Sequence, residues 1–200
     1  TFANTGTLQL GDAAGDVLTF TGGVTALAPS GVTLNAELRT AGTAVSLGDA
    51  GTPVTLAGTT SIIDTTNAGG VVAGAGITVN GAVDGTVADT QSLTLNAGTG
   101  GVIGFGSTVG TGTSLKTLTV TNSGGATFTG AVTTDTSVVL TDTTDAANIT
   151  FTGALTTPTL TTATQGYDLD LLGNGTSITN AVTFANTGTL QLGDAAGDVL

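Results

Sequence analysis

Short apolar–polar–apolar triplets recur along the whole chain at intervals of 20–26 residues, and this repeat restricts the fold more than any other feature. The flanking apolar pairs are Leu8/Leu10, Val32/Leu34, Val54/Leu56, Ile77/Val79, Ile103/Phe105, Ala126/Phe128, Ile149/Phe151, Leu169/Leu171 and Leu190/Leu192. Side chains alternate between the two faces of extended backbone, so both apolar residues of a triplet share a face. The pattern predicts one apolar column beside one outward column, in which five of the nine central residues are Thr.

Further strand-like units lie between the triplets, and Gly-containing turns such as NGA and TGA separate them. Two or three short strands per 20–26 residues are typical of one coil of a β-solenoid. We therefore predict an all-β fold, a right-handed parallel β-helix, because parallel crossovers favour that hand. Its interior should stack Leu, Val, Ile and Phe, with Phe105, Phe128 and Phe151 in line. No stretch has the 3.6-residue apolar period of a helix.

An 18-residue segment, TFANTGTLQLGDAAGDVL, occurs at residues 1–18 and again without change at residues 183–200, an offset of 182 residues. We interpret 1–182 as one full solenoid repeat and 183–200 as the start of the next identical repeat. The chain is then an interior piece of a longer array, whose neighbouring repeats cover both ends. About eight coils fill one repeat, which gives a rise of roughly 38 Å at the usual strand spacing.

The charge of the chain excludes several classes of partner. Fourteen acidic residues face only Arg39 and Lys116, for a net charge of −12. Phosphate backbones need clustered cations, so no nucleic acid is expected to bind. No run of 18 apolar residues occurs, which predicts no membrane insertion. The absence of Cys and His removes disulfides, thiolate or imidazole metal sites and the usual nucleophilic machinery, so no cofactor is expected beyond a candidate Ca²⁺.

Five carboxylates are candidate Ca²⁺ ligands. Asp12 and Asp16 lie in the glycine-containing loop GDAAGD, Asp49 lies in the similar GDAG, and Asp168 and Asp170 are two residues apart. Oxygen-rich loops suit Ca²⁺, which takes six to eight oxygen ligands. The alternative is that these acids form solvated turns, since two carboxylates are few and the nine-residue Ca²⁺-binding repeat is missing.

Two other functions deserve comparison with a structural role. Asp168 and Asp170 should share the outer face of a strand, as in polysaccharide-active enzymes with paired carboxylates, but no cation or His accompanies them. We therefore expect no enzymatic activity. A regular outward Thr column can bind ice, but Gly104, Asp170 and two Gln positions interrupt this one.

Four segments carry a resemblance to a known class of proteins: GVTLNAELRT (31–40), QSLTLNAGTGGVIGFGS (91–107), TLTVTNSGGATFTGAV (117–132) and NITFTGALTTPTL (148–160). The sequence resembles the giant repeat regions of bacterial surface adhesins of the filamentous-haemagglutinin type. The resemblance implies a secreted, rod-like β-helix at the cell surface that acts in adhesion or as a fibre. We expect its partners to be neighbouring repeats of the same chain and other copies, through self-association into a filament or sheath.

Overall fold

The structure is a computed structural model that describes residues 1–200, and it contains β-strands and no helix. The 21 strands are β1 (Thr7–Leu10), β2 (Val17–Phe20), β3 (Val24–Ala26), β4 (Gly31–Leu34), β5 (Glu37–Thr40), β6 (Val45–Leu47), β7 (Val54–Leu56), β8 (Thr60–Asp64), β9 (Ile77–Val79), β10 (Val83–Gly85), β11 (Ser92–Asn96), β12 (Ile103–Phe105), β13 (Leu115–Asn122), β14 (Ala126–Phe128), β15 (Val132–Leu140), β16 (Asn148–Phe151), β17 (Leu155–Thr157), β18 (Thr159–Thr162), β19 (Asp168–Leu171), β20 (Ser177–Ile178) and β21 (Leu190–Leu192).

These strands form three faces, and the chain visits the faces in the same order in every coil. The first face runs β1, β4, β7 and β10, then Val109, β15, β17 and β20. The second runs β2, β5, β8, β11, β13, β15 and β18, and the third runs β3, β6, β9, β12, β14, β16, β19 and β21. Strand β15 is long enough to turn a corner, so it belongs to two faces. All strand pairs are parallel, which confirms the predicted parallel β-solenoid of about eight coils.

The interior is a dry stack of aliphatic and aromatic side chains. Phe105, Phe128 and Phe151 are at most 1% exposed and occupy successive coils of the third face. Their ring centroids are 5.2 Å and 4.9 Å apart, close to the usual distance between strands. The predicted alignment of these three rings is confirmed, and it fixes the register of the third face.

The prediction that all nine triplets form one column is wrong. The first three triplets lie on the first face, in β1, β4 and β7, while the other six lie on the third face. The reason is the loop between β8 and β9, which spans residues 65–76. This insertion lengthens part of a coil until its residue count matches that of a whole coil elsewhere.

Glycines allow successive coils to approach closely at the corner between the third and first faces. Gly130, Gly153 and Gly173 follow one another there, and a Cβ on Gly153 would collide with the backbone of Gly130. None of the three has a positive φ, so the neighbouring coil alone requires glycine.

Candidate functional site: the coil ends and a polar corner groove

The two copies of the 18-residue segment lie on different faces of the solenoid. In the first copy Phe2 N donates to Thr25 O on the third face, residues 7–10 form β1 on the first face, and residues 17–18 begin β2 on the second face. In the second copy Ala185 N donates to Thr162 Oγ1 on the second face, while β21 lies on the third face. Val199 O accepts from Gly175 N, just before β20 on the first face. Every segment of the second copy is therefore displaced by one face.

This displacement defines how the sequence period relates to the coil. Strand β1 lies on the first face of the first coil, and β21 lies on the third face of the eighth coil. The two copies are thus 23 faces apart, or seven and two-thirds coils. A period that is not a whole number of coils rotates each copy by about 120° relative to the one before it, if the three faces are taken as equivalent.

The two copies have opposite edges paired. Strand β1 pairs only with β4 on its C-terminal side, with Leu8 opposite Val32 and Leu10 opposite Leu34. Strand β21 pairs only with β19 on its N-terminal side, with Leu190 opposite Leu169 and Leu192 opposite Leu171. One sequence therefore shows both halves of a single continuous ladder, in one register.

The last coil leaves apolar side chains in contact with solvent. Leu190 is 41% exposed, Leu192 is 52% exposed and Leu200 is 48% exposed. Leu171, Thr176, Ile178, Phe184, Leu192 and Leu200 line an open cavity of about 220 Å³ at this end. At the other end Phe2 packs edge-on against Phe20, with ring centroids 5.9 Å apart, and Leu10 is only 3% exposed.

The GDAAGD loop has the same conformation in both copies. Asp16 Oδ2 accepts hydrogen bonds from the N–H groups of Asp12 (3.0 Å) and Ala13 (3.1 Å), and these bonds hold the pKa of Asp16 below its ordinary value. Asp198 accepts the equivalent bonds from Ala195 and Asp194 at 3.0 Å and 2.8 Å, and its pKa is lowered for the same reason. The loop is thus a self-contained turn whose shape does not depend on its face.

The structure brings the five candidate Ca²⁺ ligands to three separate places, and no group of three or more acidic side chains comes together. Asp12 and Asp16 share the turn after β1, where the Asp16 carboxylate already accepts two backbone N–H groups. Asp49 lies exposed at a later corner, where its Oδ1 accepts from Gly51 N at 2.8 Å. Each carboxylate stabilises a turn, which is the alternative that the sequence left open.

Asp168 and Asp170 both lie in β19 on the third face, but their carboxylates have different partners. Asp168 Oδ1 accepts from Thr189 N at 2.5 Å. Asp170 is 9% exposed, and its Oδ2 accepts from Asn148 Nδ2 at 2.6 Å and Thr150 Oγ1 at 3.1 Å. Both side chains tie β19 to the coils beside it.

A polar groove follows the corner between the second and third faces from the third to the seventh coil. We call it the corner groove; its volume is about 320 Å³, and Thr66, Gly69, Val72, Asn96, Gly98, Thr121, Asn122, Thr141, Asp142 and Gln165 line it. Nine of these ten residues are not hydrophobic. Asn122 Oδ1 is buried in its wall and has no hydrogen-bond partner. Sequence analysis missed this groove because its residues come from coils far apart along the chain.

Asp64 is the most buried acid outside β19, and sequence analysis did not single it out. It is 4% exposed, and it accepts from Thr66 N at 2.8 Å and Ala68 N at 2.6 Å, which closes the loop after β8. Arg39 Nη2 lies 2.6 Å from Glu37 Oε1, and Arg39 Nε lies 4.0 Å from Asp64 Oδ2. With Arg39 engaged, Lys116 is the one exposed basic side chain on an acidic exterior.

No family model matches this chain, and no curated protein or solved structure matches it either. The structure has no helix of the length and apolar character needed to cross a membrane.

Proposed function

We propose that this chain is a stiff segment of an extended extracellular repeat protein, and that it acts as a structural or adhesive rod at the cell surface. One observation carries the proposal: an uninterrupted stack of eight coils ends in unpaired strand edges that bear the same sequence at both ends. Solenoids normally need polar caps at their ends, and an uncapped edge pairs readily with another strand. A stack built in this way favours lengthwise continuation.

The mechanical properties follow from the interior. Parallel ladders join every coil to the next, and the stacked rings of Phe105, Phe128 and Phe151 resist bending because close-packed interiors have low compressibility. The exterior carries a net charge of −12, so separate rods repel one another at low salt. Length along the axis and separation between rods are the two properties that a surface fibre requires.

Electron microscopy of a polypeptide with several 182-residue periods in tandem tests this proposal. We expect thin unbranched rods whose length grows by about 36 Å per period, from seven and two-thirds coils at the usual strand spacing. Phe128→Ala should destabilise the stack by about 3–5 kcal/mol. Globular particles, or a length independent of the number of periods, would contradict the proposal.

Self-association through divalent cations is a subsidiary proposal. Its support is the acidic exterior with one free basic side chain, since Ca²⁺ between carboxylates of two rods would offset their repulsion. Light scattering of the rods should rise on addition of Ca²⁺ and return to its starting value with a chelator. Unchanged scattering and unchanged Tm in both conditions would remove Ca²⁺ from the account, together with Asp12, Asp16, Asp49, Asp168 and Asp170 as its ligands.

Binding of a carbohydrate in the corner groove is a second candidate function. Asn96, Asn122 and Gln165 offer donors and acceptors at the intervals of successive coils, and Asn122 Oδ1 lacks a partner. Asp142 makes neutral sugars better ligands than acidic ones. Titration calorimetry with neutral oligosaccharides should detect binding that Asn122→Ala weakens and that Thr127→Ala, on the third face outside the groove, does not affect.

Neither catalysis nor ice binding is part of our proposal. Asp168 and Asp170 each hold structural hydrogen bonds, and neither of the two basic residues lies on their face. The true outward column of the third face reads Thr25, Ser46, Thr78, Gly104, Thr127, Thr150, Asp170 and Gln191. Such a mixed column presents no regular Thr lattice.

A further inference from the structure

The free edge of the last coil has a sequence whose correct partner is already visible in the same molecule. Strand β21 repeats β1 without change, and β1 is paired with β4. The side of β21 that faces away from β19 is the side on which β1 holds β4. A strand with the sequence of β4 therefore fits the free edge of β21 in a known register.

We propose that this edge binds a second copy of the chain by strand exchange, in which residues 183–200 of one molecule replace residues 1–18 of the next. Strand β4 of the second copy then pairs with β21 instead of its own β1. The ladder runs from Leu171 to Leu192 and on to Leu34 of the second copy. This inference gives the rod of the proposed function its end-to-end joint.

The exchange conserves what the second copy loses and adds what the first copy lacks. Leu10 is 3% exposed beneath β4, and Leu192 takes over that contact from a starting exposure of 52%. The hydrogen bonds of β1 with β4 are replaced one for one, since the two strands have the same sequence. The gain is the burial of the apolar cavity at the last coil, which removes Leu192 and Leu200 from water.

The exchange also fixes the relative rotation of the two molecules. Strand β21 lies on the third face of its own molecule, while β4 lies on the first face of the second copy. The first face of each molecule therefore continues the third face of the one before it. Any surface feature, such as the corner groove, then recurs at steps of about 120° around the fibre axis and returns to the same side after three molecules.

A matched pair of substitutions in the full chain tests the exchange. Leu192→Asp places a charge on the donating strand, and we expect it to raise the concentration for half-assembly on the order of 10- to 100-fold. Leu10→Asp makes the same change in the displaced strand, so it should loosen residues 1–18 from β4 and lower that concentration. Circular dichroism and amide exchange of the central coils verify that both variants keep the solenoid.

The alternative mode is stacking of intact ends, in which β1 of one molecule adds to β21 of another without exchange. In that mode both substitutions weaken assembly, so loss of assembly in Leu10→Asp overturns our proposal. A parent chain that stays monomeric at all concentrations, or a Leu192→Asp variant that assembles normally, also overturns it. These outcomes leave the rod itself untouched, because rod formation within one tandem polypeptide is measured separately.

Crosslinking provides an independent readout, since the chain has no native Cys. Gln9 lies opposite Thr33 in the β1–β4 pair, so the identical Gln191 should lie opposite Thr33 of a second copy. The double variant Gln191→Cys, Thr33→Cys should give ladders of covalent oligomers with a short thiol crosslinker. Gln9→Cys, Thr33→Cys should crosslink within one molecule and, once locked, no longer accept a second copy; oligomers from the locked variant contradict the exchange.

Discussion

The two copies of TFANTGTLQLGDAAGDVL form a natural experiment within one molecule. Their local structure is the same: Gln9 and Gln191 each donate to the carbonyl oxygen two residues ahead at 3.1 Å, and Gly11 and Gly193 have φ values of 79° and 75°. Their burial is not the same, since Leu10 is 3% exposed and Leu192 is 52% exposed. Sequence therefore determines the conformation of strand and turn, while the neighbouring coil determines whether an apolar side chain contributes to stability.

The largest expected difference between the copies comes from removing an apolar side chain. Leu10→Ala should destabilise the first coil by about 2–3 kcal/mol, because a buried contact is lost and a cavity remains. Leu192→Ala should cost less than about 1 kcal/mol, since half of that side chain already meets water. Amide hydrogen exchange of β4 and of β19 at a concentration below assembly measures the two effects. Equal losses in both copies would mean that burial by the next coil does not matter.

A smaller effect, equal in the two copies, is expected from the glycines of the turn. Gly15 and Gly197 have φ values of 97° and 107°, and a Cβ on either would meet no atom within 4 Å. Alanine at these positions is strained by its backbone alone, at a cost of about 1–2 kcal/mol each. Exchange of the turn amides should show the same loss in Gly15→Ala and Gly197→Ala.

A control for this pair lies at the glycine corner of the seventh coil. Gly153→Ala has no positive φ to strain, yet its Cβ would meet the backbone of Gly130. Its cost should therefore exceed that of either turn glycine. If Gly15→Ala and Gly197→Ala differ from each other by as much as the Leu pair, the turn is not self-contained.

How much of this molecule the sequence predicts depends on the range of the interaction. The alternation in Ile103–Phe105 and Ala126–Phe128 predicts buried strands in register, because a period of two is a property of extended backbone itself. The assignment of Val54–Leu56 and Ile77–Val79 to one column fails, because residue counts do not distinguish a full coil from two-thirds of a coil with an insertion. Only the pairing of β6 with β9 resolves the ambiguity.

The candidate sites show the same limit. Asp12 and Asp16 are correctly recognised as loop carboxylates, and the hydrogen bonds of Asp16 follow from local sequence. The corner groove combines Asn96, Asn122 and Gln165 from different coils, and its members become neighbours only through the stacking of corners. No spacing rule within a coil of 20–26 residues predicts such a set, since each coil contributes only one or two residues.

The smallest expected effect is a pH dependence that both copies should share. Backbone N–H groups lower the pKa of Asp16 and of Asp198, so each carboxylate stabilises its turn above about pH 4, the ordinary pKa of Asp, and that contribution is lost as the pH falls through the lowered value. Carboxyl NMR titrations should give matching pKa values below the ordinary one, and Asp16→Asn and Asp198→Asn should each remove the acid-dependent opening of one turn. Because the two turns have the same hydrogen bonds on different faces, a lowered pKa in only one of them would show that the neighbouring coil, and not the six residues of the loop, sets the titration.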